Sequence, residues 1–590
     1  MKESFFIISP LTTSLKRRHE MSEDKYKKTE VPLGQNIFFS ILWFVFLTWL
    51  TVLWWDDVQY AIETSIWILL STSGFLIWRI GRKLKVWILG EVSRRKFQKL
   101  RQDFNENPPD FSVVSATYFE FAFGLKEKLE DSFRSLLEDV LLSGLDSNII
   151  IGVSPRNKGG IQDAILINRL VEEYRKKTNQ GLWIKVFYQD PPKQRDARNP
   201  LLNKIQEVQG KKLAWVKMLR TERGMRDDGI TPVRREGKTL YFARDSDGII
   251  PLGTNVARMS APFLLQDDIG FVTFNNVAYV EDGSPEEIRF AATRFNDREV
   301  QMEYTPLVAT GRGSGFSEEV IQSDLLLEMM ERDIIYHKKY KHVLRLSGDD
   351  KITVFVAWLL GLKGVFLPDV TVICFENFPE PKWDDKLTWI ENKLKQHWTV
   401  RAAQLSRRYS GNSSANRPRM LALGDKLGKR ERQSLRDQGY SVWTPLYGPF
   451  MAIGTTLAGG IGFLQGYVLW ILWSRTAWTI ARSLRTRSSW SYVDPKLEIY
   501  KQFITTLVKI MAEYAPHIQS WVRQNITQSS GSVWRVRLSM IFTLLGLLLF
   551  ALVLTGGLKL PTKPTGLPWG LQLPDAHPQN SILDNQGRPK

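Results

Sequence analysis

The stretch from Asn36 to Trp55, which carries the uncharged run IFFSILWFVFLTWLTVLWW, limits the fold more than any other part of the chain. Hydrocarbon offers no water to backbone N–H and C=O groups, so a run of this kind is expected to be helical. About 20 such residues suffice to cross a bilayer. Asp56 and Asp57 follow, then a second apolar stretch ending at Trp78, then the basic segments RIGRKLK and SRRK. Basic flanks around an acidic link predict a transmembrane hairpin over 36–80 with both ends in the cytosol. Residues 1–35 are polar, carry the basic patches KRRH and KYKK, lack a signal-peptide cleavage pattern and read as a cytosolic tail.

Apolar blocks return near the other end. The block from 442 to 473 is too long for one comfortable span and has Gly459 and Gly460 near its middle. Two helices, a second hairpin over 440–481, keep the basic segments 401–438 and 475–487 on the same side as the first pair. From Leu497 to Trp521 apolar residues recur at spacings of three and four, interrupted by Pro516, which predicts an interfacial helix within 482–536. A last span over 537–556 and an extracytoplasmic Pro-rich tail, 557–590, complete a count of five membrane helices, or four if the long block crosses once.

The formal charge of +18 admits nucleic acid, a membrane surface or an anionic ligand as partner. Because the Lys and Arg residues gather beside the apolar blocks, membrane lipid is the expected partner and nucleic acid is not. The single cysteine, Cys374, excludes a disulfide framework and a Cys-based zinc site. The six histidines lack HExxH spacing, which argues against a zinc hydrolase.

Between the membrane blocks lies a region of different character. Residues 81–147 read as a cytosolic linker, Asn- and Pro-bearing at 101–110, followed by an amphipathic helix with Leu129, Phe133, Leu136, Leu137 and Val140 on one face. From 148 to 378 short β-type runs alternate with helical segments, the pattern of an α/β domain with a mainly parallel sheet. The expected strands are IIIGV (149–153), WIKVFYQ (183–189), LAWVKML (213–219), TLYFA (239–243) and FVTF (271–274). Ligands in such folds sit at the carboxyl ends of strands, where Asp190, Asp227 and the pair Asp245 and Asp247 fall.

Each of these has a plain reading beside a chemical one. Asp245 and Asp247, in RDSDG, can hold a divalent ion that also binds a diphosphate, although Asp-Ser-Asp also occurs in ordinary turns. Asp190, in YQDPP, suits a nucleotide's base or ribose, or a turn. In GMRD, Arg226 offers a counter-charge to an anion with Asp227 beside it, or the segment is a solvated turn. Asp349 and Asp350, in LSGDDK, form an adjacent pair in which one carboxylate can take a proton from a sugar hydroxyl, or else they cap a helix. Trp398, in LKQHWTVR, can stack on a sugar ring, or it is an interfacial tryptophan within the helical segment 379–439.

Taken in order, Asp190, GMRD, DSD, TGRGSGF, LSGDDK, FLPDV, MLALGDKLG (420–428) and WTPLYGP (443–449) give a set that resembles the family-2 glycosyltransferases with a GT-A fold and membrane helices. Cellulose, chitin, hyaluronan and alginate synthases belong to that group, and the mannuronan (alginate) synthase branch is the most similar. The resemblance extends loosely from about 148 to 523.

It implies a mixed, mainly parallel GT-A sheet combined with transmembrane and interfacial helices. It further implies that Asp190, Arg226, Asp227 and Asp245 contact the nucleotide sugar, that Asp245 and Asp247 hold Mg2+ or Mn2+, and that Asp350, beside Asp349, is the general base. Gly311, Arg312, His397 and Trp398 would meet the growing polysaccharide. The chain departs from the family at Leu394 and His397, where Gln and Arg of a QxxRW motif are usual, and in SPRNKG, which lacks the usual Asn-Glu pair. The expected activity is inverting, processive transfer from GDP-mannuronate or a related nucleotide sugar, with export through the bacterial inner membrane. Single-sugar transfer to a lipid or other acceptor is the second expectation, and an inactive synthase-like scaffold the third. No cyclic-dinucleotide module stands out, so a cyclic-di-GMP receptor, like any export component, would be a separate subunit.

Overall fold

The computed structural model describes residues 33–64, parts of 81–96, 112–119, 130–136, 147–153, 158–177, 183–188, 210–233, 238–245, 248–249, 256–279, 304–332 and 334–336 (Arg312 excepted), 343–345, 349–375, 385–392, 420–437, parts of 462–480, 519–521 and 526–528. Asp190, Asp247, Arg312, His397 and Trp398 lie outside them, as do most of the second helix expected for the first hairpin, the last span expected over 537–556 and both termini.

Two helices open the described chain, α1 (Leu33–Leu53) and α2 (Trp55–Thr64). Trp54 N–H donates to Leu50 O at 3.1 Å and Val58 N–H to Trp54 O at 3.0 Å, so helical bonding runs through the junction. On α1 a narrow stripe, Trp43, Leu47 and Leu50, is buried, while Ile37, Phe38, Ile41, Val45, Trp49 and Val52 are exposed. The buried stripe meets the apolar block 400 residues away in sequence: Trp43 Nε1–H donates to Thr476 Oγ1 at 2.9 Å and Trp473 Nε1–H to Thr51 Oγ1 at 3.1 Å, with Leu472 packed on Trp43 and Leu47. Among the described residues no helix is long and apolar enough to cross a membrane.

The central region is an α/β domain. Its strands are β1 (Ser112–Phe119), β2 (Ser147–Val153), β3 (Trp183–Tyr188), β4 (Thr239–Asp245), β5 (Gly248–Ile249), β6 (Ile269–Tyr279), β7 (Ser314–Ser317), β8 (Ile334–Tyr336), β9 (Val343–Arg345) and β10 (Lys363–Phe375). Eight of them form one mixed sheet in the order β3-β2-β1-β4-β7-β6-β10-β5, and β8 with β9 makes a separate hairpin. The pairs β3-β2, β2-β1, β1-β4 and β6-β10 are parallel, whereas β7 and β5 are antiparallel to their neighbours. The helices are α3 (Lys158–Lys177), α4 (Gly210–Asp227), α5 (Val256–Leu265), α6 (Glu318–Ile321), α7 (Asp324–Arg332) and α8 (Asp349–Leu359).

Alternation along the strands sends side chains to two faces. Ile150, Tyr241, Ala243, Phe271 and Phe316 join the core formed with α4, α7 and α8. Ile149, Ile151 and Ile184 face α3 and the helical stretch 130–136 through Phe133 and Leu136, so the apolar face expected there is used for packing on the sheet. Leu240, Phe242, Val272 and Phe274 face α5. The result is a three-layer helix–sheet–helix arrangement.

Several expectations change. LAWVKML is not a strand; it lies inside α4, where Ala214, Trp215, Met218, Leu219 and Glu222 are buried and Lys217, Arg220 and Arg223 are exposed, a period near 3.6 that a seven-residue window hides. The sheet takes in β1, N-terminal to the expected start at 148, and places it between β2 and β4. TGRGSGF is partly a strand, β7, inserted between β4 and β6. FLPDV lies within β10, and the register shift between Leu367 and Thr371 accommodates Pro368, which cannot donate to a ladder. At the end of the expected interfacial helix, Gln519–Trp521 and Ile526–Gln528 pair as antiparallel strands instead; the rest of that expected helix lies outside the described residues.

Candidate active site at the carboxyl edge of the sheet

β1, β2, β3 and β4 end together, at Phe119, Val153, Tyr188 and Asp245. Asp245, half-buried, is the last residue of β4 and sits in register with Tyr118 of β1. Since β7 runs antiparallel to β4, with Ser314 opposite Ala243, the loop leading into β7 arrives at this same edge. Asp245 N–H donates to Gly311 O at 2.7 Å, and Ala309 N–H donates to Asp350 O at 3.2 Å. Three consecutive residues, Ala309 to Gly311, therefore tie the strand end bearing Asp245 to the first turn of α8 bearing Asp349 and Asp350.

That loop is itself held rigidly. Thr310, 3 % exposed, donates from Oγ1 to Gly313 O at 2.7 Å, and its N–H donates to Thr273 Oγ1 at 3.3 Å. Ser314 Oγ donates to Thr310 O at 2.9 Å. A Cβ on Gly313 would lie 2.9 Å from Val372 Cγ2, and one on Gly315 would lie 2.8 Å from both Phe242 Cε1 and Val272 Cγ2, so close backbone approach requires glycine at both positions.

A second clamp grips RDSDG from the other face. The Arg244 side chain, 3 % exposed, donates from Nη1 to Ser135 Oγ at 3.1 Å and from Nη2 to Ser132 O at 2.6 Å. Ser132 Oγ donates to Gly248 O at 2.7 Å. Residues on both sides of Asp245 and Asp247 are thus fixed to the 130–136 helix. The only signal in the sequence was a pair of serines three apart on an otherwise apolar helix face, which reads as nothing in isolation.

Arg226 and Asp227 are not brought to this group. With 210–227 helical, the C-terminal end of α4 leads toward the start of β4, at the opposite edge of the sheet. Arg226, 4 % exposed, pairs there with Glu318, which follows β7, and Asp227 is exposed. The length of β4, roughly 20 Å by its rise per residue, separates them from Asp245. One turn earlier, Glu222 is fully buried and accepts from Asn148 Nδ2 at 3.0 Å, Tyr241 Oη at 3.1 Å and Gln322 Nε2 at 3.2 Å. Burial pushes its carboxyl above the ordinary value, against the opposing pull of the Arg226 charge and of the hydrogen bonds from Asn148 and Tyr241. Burial, with the Glu222 charge second, likewise pushes the Tyr241 phenol up. This polar network joins α4 to β2, β4 and the segment after β7, and so serves the fold.

In chemical terms the edge offers oxygen ligands from Asp245, with Asp247 two residues on, and carboxylates at the start of α8. Among the described residues no group of three or more His, Cys, Asp or Glu side chains gathers to hold a metal by itself. An all-oxygen donor set with few protein ligands suits a hard divalent ion that completes its shell from a ligand's phosphates and water. Of the helix that was expected to carry His397 and Trp398, the start is described: Thr388 Oγ1 accepts from Glu391 N–H at 3.3 Å and Glu391 Oε2 accepts from Thr388 N–H at 2.8 Å, a reciprocal cap. The backbone N–H of Thr388, followed by its hydroxyl, holds the exposed Glu391 carboxyl below its ordinary value.

No family model matches the chain. It is 30 % identical over 286 residues to glycosyltransferase alg8 of Pseudomonas syringae pv. tomato, covering 47 % of this chain and 55 % of that protein. With glycosyltransferase alg8 of Azotobacter vinelandii it shares 28 % identity over 241 residues, 40 % of this chain and 45 % of that one. It thus spans about half the length of the curated relatives it matches. Among solved structures, the crystal structure of GalNAc-T7 with UDP, GalNAc and Mn2+ aligns at a TM-score of 0.27 and 14 % identity, over 56 % of this chain and 54 % of that one. A mycobacterial protein aligns at 0.22 and 14 %, over 53 % and 78 %. Over somewhat less than half of its length the chain is a distant homologue of the glycosyltransferase alg8 proteins.

Proposed function

We propose that the chain is an inverting, metal-dependent glycosyltransferase of GT-A type that polymerises an exopolysaccharide from GDP-mannuronate or a related nucleotide sugar and passes the product across the bacterial inner membrane. The observation that carries this reading is the Ala309–Gly313 loop, which joins Asp245 and Asp350 at one edge of the sheet through two backbone hydrogen bonds. The homology to glycosyltransferases supports the reaction class. The exposed apolar flank of α1, with Ile37, Phe38, Ile41, Val45, Trp49 and Val52, supports a membrane setting.

In this mechanism Asp350 accepts the proton of the acceptor hydroxyl as the hydroxyl oxygen bonds to the anomeric carbon. The bond from that carbon to the diphosphate oxygen breaks, and the nucleoside diphosphate departs with the electron pair. A single displacement inverts the anomeric centre and needs no covalent enzyme intermediate. Asp245 and Asp247 would hold Mg2+ or Mn2+, which when bound neutralises charge developing on the leaving diphosphate. Asp349 sets the field around Asp350, and Gly311 holds the strand end. Asp190, Arg312, His397 and Trp398 are proposed donor and acceptor contacts; this reading does not use Arg226 and Asp227.

Incubating membranes bearing the chain with radiolabelled GDP-mannuronate and Mg2+ or Mn2+ tests the proposal. Labelled polymer, lost on chelation, is the expected product. Product limited to one sugar on lipid would replace this reading with single transfer, which the Leu394 and His397 departures favour. No transfer from any nucleotide sugar would leave the scaffold reading. A separate cyclic-di-GMP receptor and export subunits are the further partners proposed.

A further inference from the structure

Away from the sheet edge, a cavity of about 400 Å3 is lined by Arg82, Lys429, Arg432, Gln433 and Arg436. Four of these five come from the helical stretch 429–437 at positions i, i+3, i+4 and i+7, which is one face of a helix. The opposite face buries Ser434 and Leu435, so the cationic face is held in place by packing on the core. Arg82 belongs to the basic segment RIGRKLK that follows the second apolar stretch of the sequence.

The surrounding charges do not cancel. Arg82 pairs with Asp437, and Arg432 lies 3.8 Å from an exposed Asp425, so in these ion pairs of the described residues two carboxylates face the four cations. Off this face the helix also carries Arg430 and Glu431. Tyr304 Oη donates to Gln433 Oε1 at 3.1 Å, which commits the amide oxygen and leaves its N–H2 as a donor. A volume of this size falls in the range of small-molecule sites, and guanidinium forks with an amide donor match the oxygens of phosphate groups.

We propose that this cavity binds a phosphate-bearing anion at a site separate from the transferase centre. Two sources share that chemistry: the head group of an anionic phospholipid, suggested by the apolar stretch that precedes Arg82 in sequence, and a free phosphate compound. The site also has a route to the catalytic edge, because Tyr304, bonded to Gln433, begins the segment that carries Ala309 and Gly311. The binding proposal does not depend on the transferase reading, and a chain without transfer activity could still satisfy it.

The test uses the full chain purified in neutral detergent with divalent metal chelated, so that donor-site binding is suppressed. One arm titrates inorganic pyrophosphate by calorimetry; the other adds cardiolipin and counts retained lipid by native mass spectrometry. The expected result is saturable binding of one probe, weakened about tenfold or more in Arg432→Gln/Arg436→Gln, as loss of charged hydrogen bonds predicts. The arm that responds names the source. Should the double variant misfold, Lys429→Gln at an exposed position replaces it and is expected to weaken binding several-fold. Wild type that saturates with neither probe, or a folded variant that binds as tightly as wild type, would overturn the proposal.

Discussion

At the scale of single residues, two carboxylates make contrasting predictions. Asp350 starts α8 and is half-buried, with its backbone tied to the Ala309 loop. Asp350→Asn keeps the shape and removes the proton acceptor. Transfer should fall by about 10²–10⁴ while donor affinity, read by equilibrium binding, is unchanged; an unaltered rate would remove Asp350 from the mechanism. Glu222 is buried without a part in the chemistry. Its folded value is raised above the ordinary 4.5, so the folded state holds this proton more tightly than the unfolded chain does. The associated stability is present in full below the ordinary value and declines as pH rises through the raised one. Glu222→Gln should flatten that decline, seen as a smaller drop in thermal midpoint from acid to neutral pH than in wild type. LSGDDK and RDSDG were readable as a pair of carboxylate stretches. That Glu222 is buried and that Arg226 faces Glu318 were not, because both follow from which face of α4 meets the sheet.

Elements add constraints that no single residue carries. β7 fits between β4 and β6 only because Gly315 lets Phe242 and Val272 approach its backbone. Gly315→Ala puts a methyl 2.8 Å from both side chains and should destabilise the domain by about 1–3 kcal/mol. A lowered thermal midpoint would show it, and midpoint recovery by Phe242→Leu would show that the ring contact is the cause. The 130–136 helix acts through Arg244. Lys at that position keeps the charge but cannot reach both Ser135 Oγ and Ser132 O. Arg244→Lys should raise the metal concentration for half-maximal transfer several-fold and leave the rate at saturating metal nearly intact; a lowered saturated rate with an unmoved metal requirement would assign Arg244 to folding alone. The sequence suggested a helix here and placed it outside the catalytic domain. Only the tertiary contacts make it a support for RDSDG.

For the whole molecule, the informative contact is between α1 and the apolar block near residue 473. Trp43 Nε1–H to Thr476 Oγ1 is buried and joins segments 433 residues apart. A double-mutant cycle of Trp43→Phe and Thr476→Val should give a coupling of about 1 kcal/mol in thermal stability, and zero coupling would mean that the two blocks are held by other contacts. By itself the sequence determined the segregation into apolar ends and an α/β centre, because hydropathy and the alternation of β and helical runs are local properties of the chain. It also determined the order of carboxylate motifs that marks kinship with glycosyltransferases. The tertiary structure decided what depends on distant partners. It set β1 between β2 and β4 in the sheet, turned LAWVKML into a helix whose end lies away from Asp245, and made a strand of SGFS. A seven-residue window does not distinguish two periodicities, and a glycine-rich run reveals its strand only when neighbouring rings close over it. The backbones of Asp245 and Asp350 are tied to one loop because Gly311 bonds to the first and Ala309 to the second, though both are distant from them in sequence.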